Sequence, residues 1–140
     1  MKKLRALLLA IGLVGVVGAS ATLNTFSETF KLSGRVVGAS GKNVIYVALW
    51  QADGFLVRPA QTRRIAAGEE PLFHFDVPAG RWAISAFEDR NGNGTLDMGA
   101  FGPEEPNGFW RPFDAPRKPE FGDVDSLVNR DIPNANVTLK

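Results

Sequence analysis

The 140-residue sequence contains no cysteine, one histidine, one tyrosine and two methionines. Without cysteine there are no disulfides, no thiolate metal site and no thiol nucleophile, so the chain must hold together by packing, with or without help from a metal. It also lacks the cysteine to which a lipid anchor after a signal sequence would be attached. A single histidine leaves little room for histidine-based catalysis or for a zinc centre. His74 lies mid-strand on the polar side of an alternating run, which reads as a solvated strand position rather than a general base. No Gly-x-Ser-x-Gly element is present. Heptads, internal repeats and a convincing amphipathic helix are absent too.

The only long apolar run is at the start, "MKKLRALLLAIGLVGVVGASA". Lys2, Lys3 and Arg5 precede an apolar stretch from Ala6 to Gly18, and Ala19-Ser20-Ala21 supplies small residues for cleavage. This is the layout of a secretory signal peptide covering residues 1–21, with residues 22–140 as a single domain. The run is shorter than the roughly 20 residues a spanning helix needs, so no membrane span is expected after cleavage. The expected location is periplasmic or secreted. Without residues 1–21, 13 basic residues face 15 acidic ones, a net charge of −2. A mildly acidic domain with no basic stripe argues against nucleic acid as a partner.

The rest of the chain alternates as strands do. Phe30, Leu32 and Val36 face inward in "TFKLSGRVVG", with Gly34 as a candidate bulge. In "NVIYVALWQADG" the inward set is Ile45, Val47 and Leu49, with Tyr46 and Trp50 on the other face, and Asp53-Gly54 ends the run. "PLFHFDVPAGRWAISAFED" reads as a hairpin, with Phe73, Phe75 and Val77 inward on one arm and Trp82, Ile84 and Ala86 on the other, turned at Pro78-Ala79-Gly80. Val137 and Leu139 point inward in a last strand. Short strands separated by turn signals predict an all-β fold, an antiparallel β-sandwich of about seven strands. Residues 98–122 break the pattern: they are rich in Gly, Pro and aromatic residues and read as one long loop.

Chemistry concentrates in "EDRNGNGTLD", residues 88–97. Asp89, Asn91, Asn93, Thr95 and Asp97 follow the spacing of the first nine positions of a calcium loop, in which side-chain oxygens alternate along the chain and Thr95 would offer its backbone carbonyl. Gly94 permits the sharp bend, and Leu96 would tuck inward. Position twelve, where such loops place a bidentate glutamate, holds Ala100. A distant carboxylate or water must then complete the shell, with Glu88, Glu104, Glu105, Asp123 and Asp125 as candidates. The alternative is a plain type I′ turn at Asn91-Gly92 or Asn93-Gly94. It explains the glycines but not the bracketing aspartates, so calcium is the favoured reading.

The stretch from Phe75 to Leu127 resembles a bacterial family known as domain of unknown function 2141. The matching elements are Gly80-Arg81-Trp82-Ala83, the acidic loop from Asp89 to Asp97, Gly102-Pro103-Glu104-Glu105, Gly108-Phe109 and Pro119-Glu120-Phe121-Gly122-Asp123. Trp82 stands where tyrosine is usual, and the Gly-x-Pro-x-Glu element is shortened, which leaves open which glutamate faces the acidic loop. The resemblance implies an exported sandwich of the transthyretin-like (prealbumin) or carboxypeptidase-regulatory type with no established activity. Transthyretin-like ring hydrolases carry several histidines and a Tyr-Arg-Gly-Ser terminus, whereas this chain ends "NVTLK". The expected function is therefore a non-catalytic exported binding module with a calcium-ordered loop. Its partner would be an envelope protein or a glycan, met by an aromatic surface at Phe109, Trp110 and Arg111 unless those rings fold back as a lid. The alternative is a structural subunit of a cell-envelope or surface assembly, and a small hydrolase is the least supported.

Overall fold

Period-two alternation buries one face of each strand, and two such faces stacked together make the core. The structure, a computed structural model, describes residues 28–140; the expected signal peptide, residues 1–21, lies outside the described residues. Among these, β1 (Thr29–Val37), β2 (Val44–Trp50), β3 (Gln61–Ile65), β4 (Leu72–Pro78) and β5 (Gly80–Asp89) form the body. The short strands β6 (Met98–Gly99), β7 (Gly102–Pro103), β8 (Asn107–Phe109), β9 (Ser126–Val128) and β10 (Val137–Thr138) follow, with a one-turn helix α1 (Phe121–Val124). One sheet has the order β10-β1-β4 and the other β3-β2-β5-β8, with β9 pairing the start of β5. The fold is all-β and sandwich-like, as the alternation predicts.

The inward residues meet between the sheets. Leu32, Val36, Phe73, Phe75 and Val77 from one side pack with Ile45, Val47, Leu49, Trp82, Ile84 and Ala86 from the other. Arg63 points inward from the edge strand β3 and lies 4.6 Å from the centre of the Phe75 ring, a cation–π contact that lets a charged group cover the core. An inward charge on an edge strand also discourages pairing with another sheet.

Three expectations need correction. The β4–β5 hairpin is not one: β4 pairs β1 and β5 pairs β2, so the Pro78–Gly80 turn carries the chain from one sheet to the other. The Trp82 indole N–H donates to the Pro78 carbonyl at 3.0 Å and pins this corner. Gly34 is no bulge, since it pairs regularly with Phe73. It is bare because the chain passes there: a Cβ on Gly34 would lie 2.2 Å from the Ala135 carbonyl oxygen. Residues 98–122 are not one unstructured loop either, since they contain β6, β7, β8 and part of α1.

The C-terminal segment joins the sheets. Val36 and Val137 are parallel partners, while Asn107 and Lys140 exchange backbone hydrogen bonds of 3.2 and 3.1 Å. The first links the segment to β1, the second to β8. Gly108 allows the closeness on that side, as its Cβ would lie 2.1 Å from the Thr138 carbonyl oxygen. Two glycines thus admit one strand.

Part of the outer face of the larger sheet is also covered. Trp50, Ala83 and Val124 are buried there beneath Phe55, Leu56, Phe109, Phe113 and Phe121. Phe55 stands edge-on to Trp50 and to Phe121 at 5.8 and 5.6 Å. The Trp50 indole N–H donates to Ser85 Oγ at 2.8 Å, so its polar end is satisfied as it is buried. Glu120 and Asp123 form a reciprocal cap on α1, and Arg117 grips both oxygens of Asp123 at 2.8 and 3.0 Å. The Arg117 hydrogen bonds, together with the backbone N–H of Glu120, lower the Asp123 pKa to about 2. A depressed carboxylate stabilises the fold above its unfolded value, near 3.9, and that contribution fades as pH falls through about 2. An NMR titration of the Asp123 carboxyl carbon is expected to show a midpoint near 2. Arg117→Ala should return it toward the ordinary aspartate range.

Candidate metal centre

The acidic loop leaves the end of β5, where the alternation that builds the core places Glu88 facing the sandwich interior and Asp89 facing out. Both are buried. Glu88 turns away from the loop: its carboxylate accepts from Ser40 N at 3.1 Å, from the Ser40 hydroxyl and from Asn43 Nδ2 at 2.7 Å. Burial pushes against ionisation of Glu88, but those hydrogen bonds outweigh it and hold its pKa below the usual range. Glu88 thus fastens residues 40–43 and is not part of the loop's own shell.

Asp89 organises the loop from its base. Its two oxygens accept the backbone N–H groups of Gly92 at 3.1 Å and Gly94 at 2.8 Å. This needs a backbone that doubles back twice, and Gly92 and Gly94 supply it with φ of 74° and 79°. Asn91 Oδ1 accepts from Asn93 N at 3.2 Å, and Asn93 Oδ1 from Thr95 N at 3.0 Å. These are successive Asx turns. The amide nitrogens of both asparagines then donate to Asp97, Asn93 Nδ2 at 2.8 Å to one oxygen and Asn91 Nδ2 to the other. The side chains of Asn91, Asn93 and Asp97 thus meet, while Asp89 is taken up by the backbone of Gly92 and Gly94. Thr95 is exposed and Leu96 half-buried.

A type I′ turn does not describe this loop. That turn needs positive φ at both central residues, yet among the described residues the one non-glycine with positive φ is Leu56. The flanking strands do not pair with each other either, because β6 pairs β7.

Of the five candidate carboxylates, one reaches the loop. Glu105, 6% exposed, accepts Arg90 N at 2.7 Å and Asp97 N at 3.3 Å, so it ties the two ends of the loop together. Glu104 is exposed and lies over Gly99. Asp125 pairs with Arg81 at 2.5 Å, and Asp123 caps α1. Arg81 and Asp89 lie at opposite ends of β5, roughly 25 Å apart at strand rise.

The donor set is oxygen throughout, which suits a hard cation such as calcium and not zinc. The carboxylates of Asp89 and Asp97, the amide oxygens of Asn91 and Asn93 and the Thr95 carbonyl would hold it. Every carboxylate and amide oxygen named here already accepts a hydrogen bond, and each has a second lone pair. Among the described residues no three Asp, Glu, His or Cys side chains gather as a metal-holding group, so such a site would rest on two carboxylates and neutral oxygens.

The candidate ligand surface is engaged by the fold. Phe109 packs in the outer cluster against Phe55, Trp110 packs against the main core, and Arg111 donates to the Asp125 carbonyl at 3.0 Å. Period two explains the split, since Phe109 and Trp110 point to opposite faces. His74 is exposed on β4, opposite Ser33 of β1. Sequence alone missed this pairing because the two residues lie far apart along the chain. The Ser33 hydroxyl is directed at the Ile132 carbonyl at 3.5 Å.

A family model described as an uncharacterized protein conserved in bacteria, domain of unknown function 2141, matches residues 38–134. The chain belongs to this family. The match takes in the acidic loop, Glu105 and both halves of the outer aromatic cluster, and it stops short of β1 and β10. No curated protein and no solved structure matches the chain. Among the described residues no helix is long and apolar enough to cross a membrane.

Proposed function

We propose that this family member is an exported, non-catalytic binding module of transthyretin-like architecture. Its 89–97 loop is ordered by calcium, and the end of the sandwich carrying that loop contacts a partner protein or a glycan. The observation that supports the reading is that the Asn91 and Asn93 side chains lie against the Asp97 carboxylate; their amide nitrogens face it here, so an ion would turn the amide oxygens toward it. Export rests on the sequence layout of residues 1–21.

Extracellular calcium modules bind at about 10⁻⁴ to 10⁻³ M. With about 1 mM free calcium and a Kd of about 10⁻⁴ M, binding stabilises the fold by roughly 1.4 kcal/mol. For a domain of this size that is a rise in Tm of about 4–8 °C. The mature protein is expected to lose that increment in EGTA, and a variant with Asp89→Asn and Asp97→Asn should melt identically with and without calcium. Coincident wild-type melts in calcium and EGTA, with no heat of binding by calorimetry, would remove the metal from this reading.

A further inference from the structure

Beyond the acidic loop, and independent of any metal there, the chain raises a finger. Strands β6 and β7 pair only with each other, as a two-stranded sheet apart from both layers of the sandwich. Its six residues, Met98 to Pro103, carry no charged or polar side chain. Met98, Ala100, Phe101 and Pro103 are exposed, and Phe101 at the tip is fully so. The base is clamped, with Glu104 N donating to the Asp97 carbonyl at 2.8 Å and Glu105 holding Asp97 N. The fold thus presents a fixed, protruding apolar tip to solvent.

We infer that the Met98–Pro103 finger inserts into the interfacial region of a neutral lipid surface. For the finger taken alone, size argues against a protein socket as the occupant. An aromatic side chain buries roughly 150–250 Å², whereas a stable protein interface takes about 800 Å² from each partner. A six-residue finger supplies too little for the second, while lipid insertion requires nothing but the finger. The Glu104 carboxylate lies over Gly99, so the part free to enter is the Ala100–Phe101 tip beyond it, which suits the shallow end of the roughly 5–10 Å to which interfacial segments sink. The charges choose the lipid. Asp97, Glu104 and the buried Glu105 outnumber the one base beside them, Arg90, and no basic residue lies in the finger, so anionic headgroups are disfavoured and zwitterionic ones are not. Binding rests on a few side chains, so it is weak and reversible, below that of a single acyl chain.

The test uses the mature protein with phosphatidylethanolamine/phosphatidylcholine vesicles, throughout in EGTA, so that its outcome does not depend on the calcium reading. Wild type is expected to cosediment at millimolar lipid, and Phe101→Ser should weaken partitioning roughly 10- to 100-fold. Val57→Ser, which removes another exposed apolar side chain elsewhere, should leave it unchanged. A Phe101→Trp variant should show a blue-shifted emission when vesicles are added. Unchanged partitioning of Phe101→Ser, or binding to phosphatidylglycerol vesicles alone, overturns the inference. So does a concentration-dependent dimer abolished by Phe101→Ser, which would assign the finger to a second copy of the chain.

Discussion

Gly34→Ala is expected to destabilise the protein by about 3 kcal/mol or more, lowering Tm by roughly 10–20 °C. The added methyl would lie 2.2 Å from the Ala135 carbonyl oxygen and 2.5 Å from its carbon, with the Phe73 ring at 3.1 Å. Neither Ala135 atom belongs to a side chain that could rotate away. To make room, the segment around Ala135 must move by about 1 Å, and it is held to β1 by Ala135 N donating to the Ser33 carbonyl at 2.8 Å. Overpacking costs about 1–3 kcal/mol in cores that can adjust and more in those that cannot. Gly122→Ala is the control: nothing lies within 4 Å of its Cβ and it sits in α1, so it should be neutral or slightly stabilising. Urea melts of the two variants separate the readings. Equal stability would mean that the C-terminal segment does not pass beneath β1.

The second large effect belongs to Glu105. Glu105→Ala should cost about 2–3 kcal/mol, because the N–H groups of Arg90 and Asp97 lose their acceptor, and hydrogen exchange at those two amides should accelerate. Glu105→Gln retains one oxygen and turns an amide toward the other N–H, so it should fall between Glu105→Ala and wild type. If the calcium reading holds, both variants weaken the metal as well, since the loop ends are no longer drawn together. Wild-type exchange at both amides in Glu105→Ala would show that this carboxylate does not clamp the loop.

Alternation made the inward faces legible. Ile45, Val47, Leu49, Phe73, Phe75, Val77, Trp82, Ile84, Ala86, Val137 and Leu139 are all buried, because a strand with one wet face leaves no other choice. Alternation says which face a residue takes and nothing about which strand lies beside it. That is why Pro78-Ala79-Gly80 suggested a hairpin where the chain in fact changes sheets. A glycine likewise signals that a Cβ is unwelcome without saying why, and at Gly34 the reason is a backbone roughly 100 residues away in sequence. Strands of two or three residues, such as β6 to β8, are too short to show a period at all. In the acidic loop, Asn91 and Asn93 lie against Asp97, while Asp89 takes the Gly92 and Gly94 N–H groups. Spacing could only narrow the distant carboxylate to five, because Glu105 reaches the loop through the turns between Asp97 and Pro106.

The late arrival of the strand that seals the sandwich bears on how the chain is made. Ribosomes add about 5–20 residues per second, so β1 waits roughly 5–20 s after its synthesis for the residues that zip it to β8. Until then Gly34 and Gly108 are open notches, and the smaller sheet is a two-stranded ribbon with an unprotected edge. Contacts that remote in sequence also make folding slow. A nascent chain of this design stays open for seconds, which gives chaperones or proteases time to act before β10 is in place.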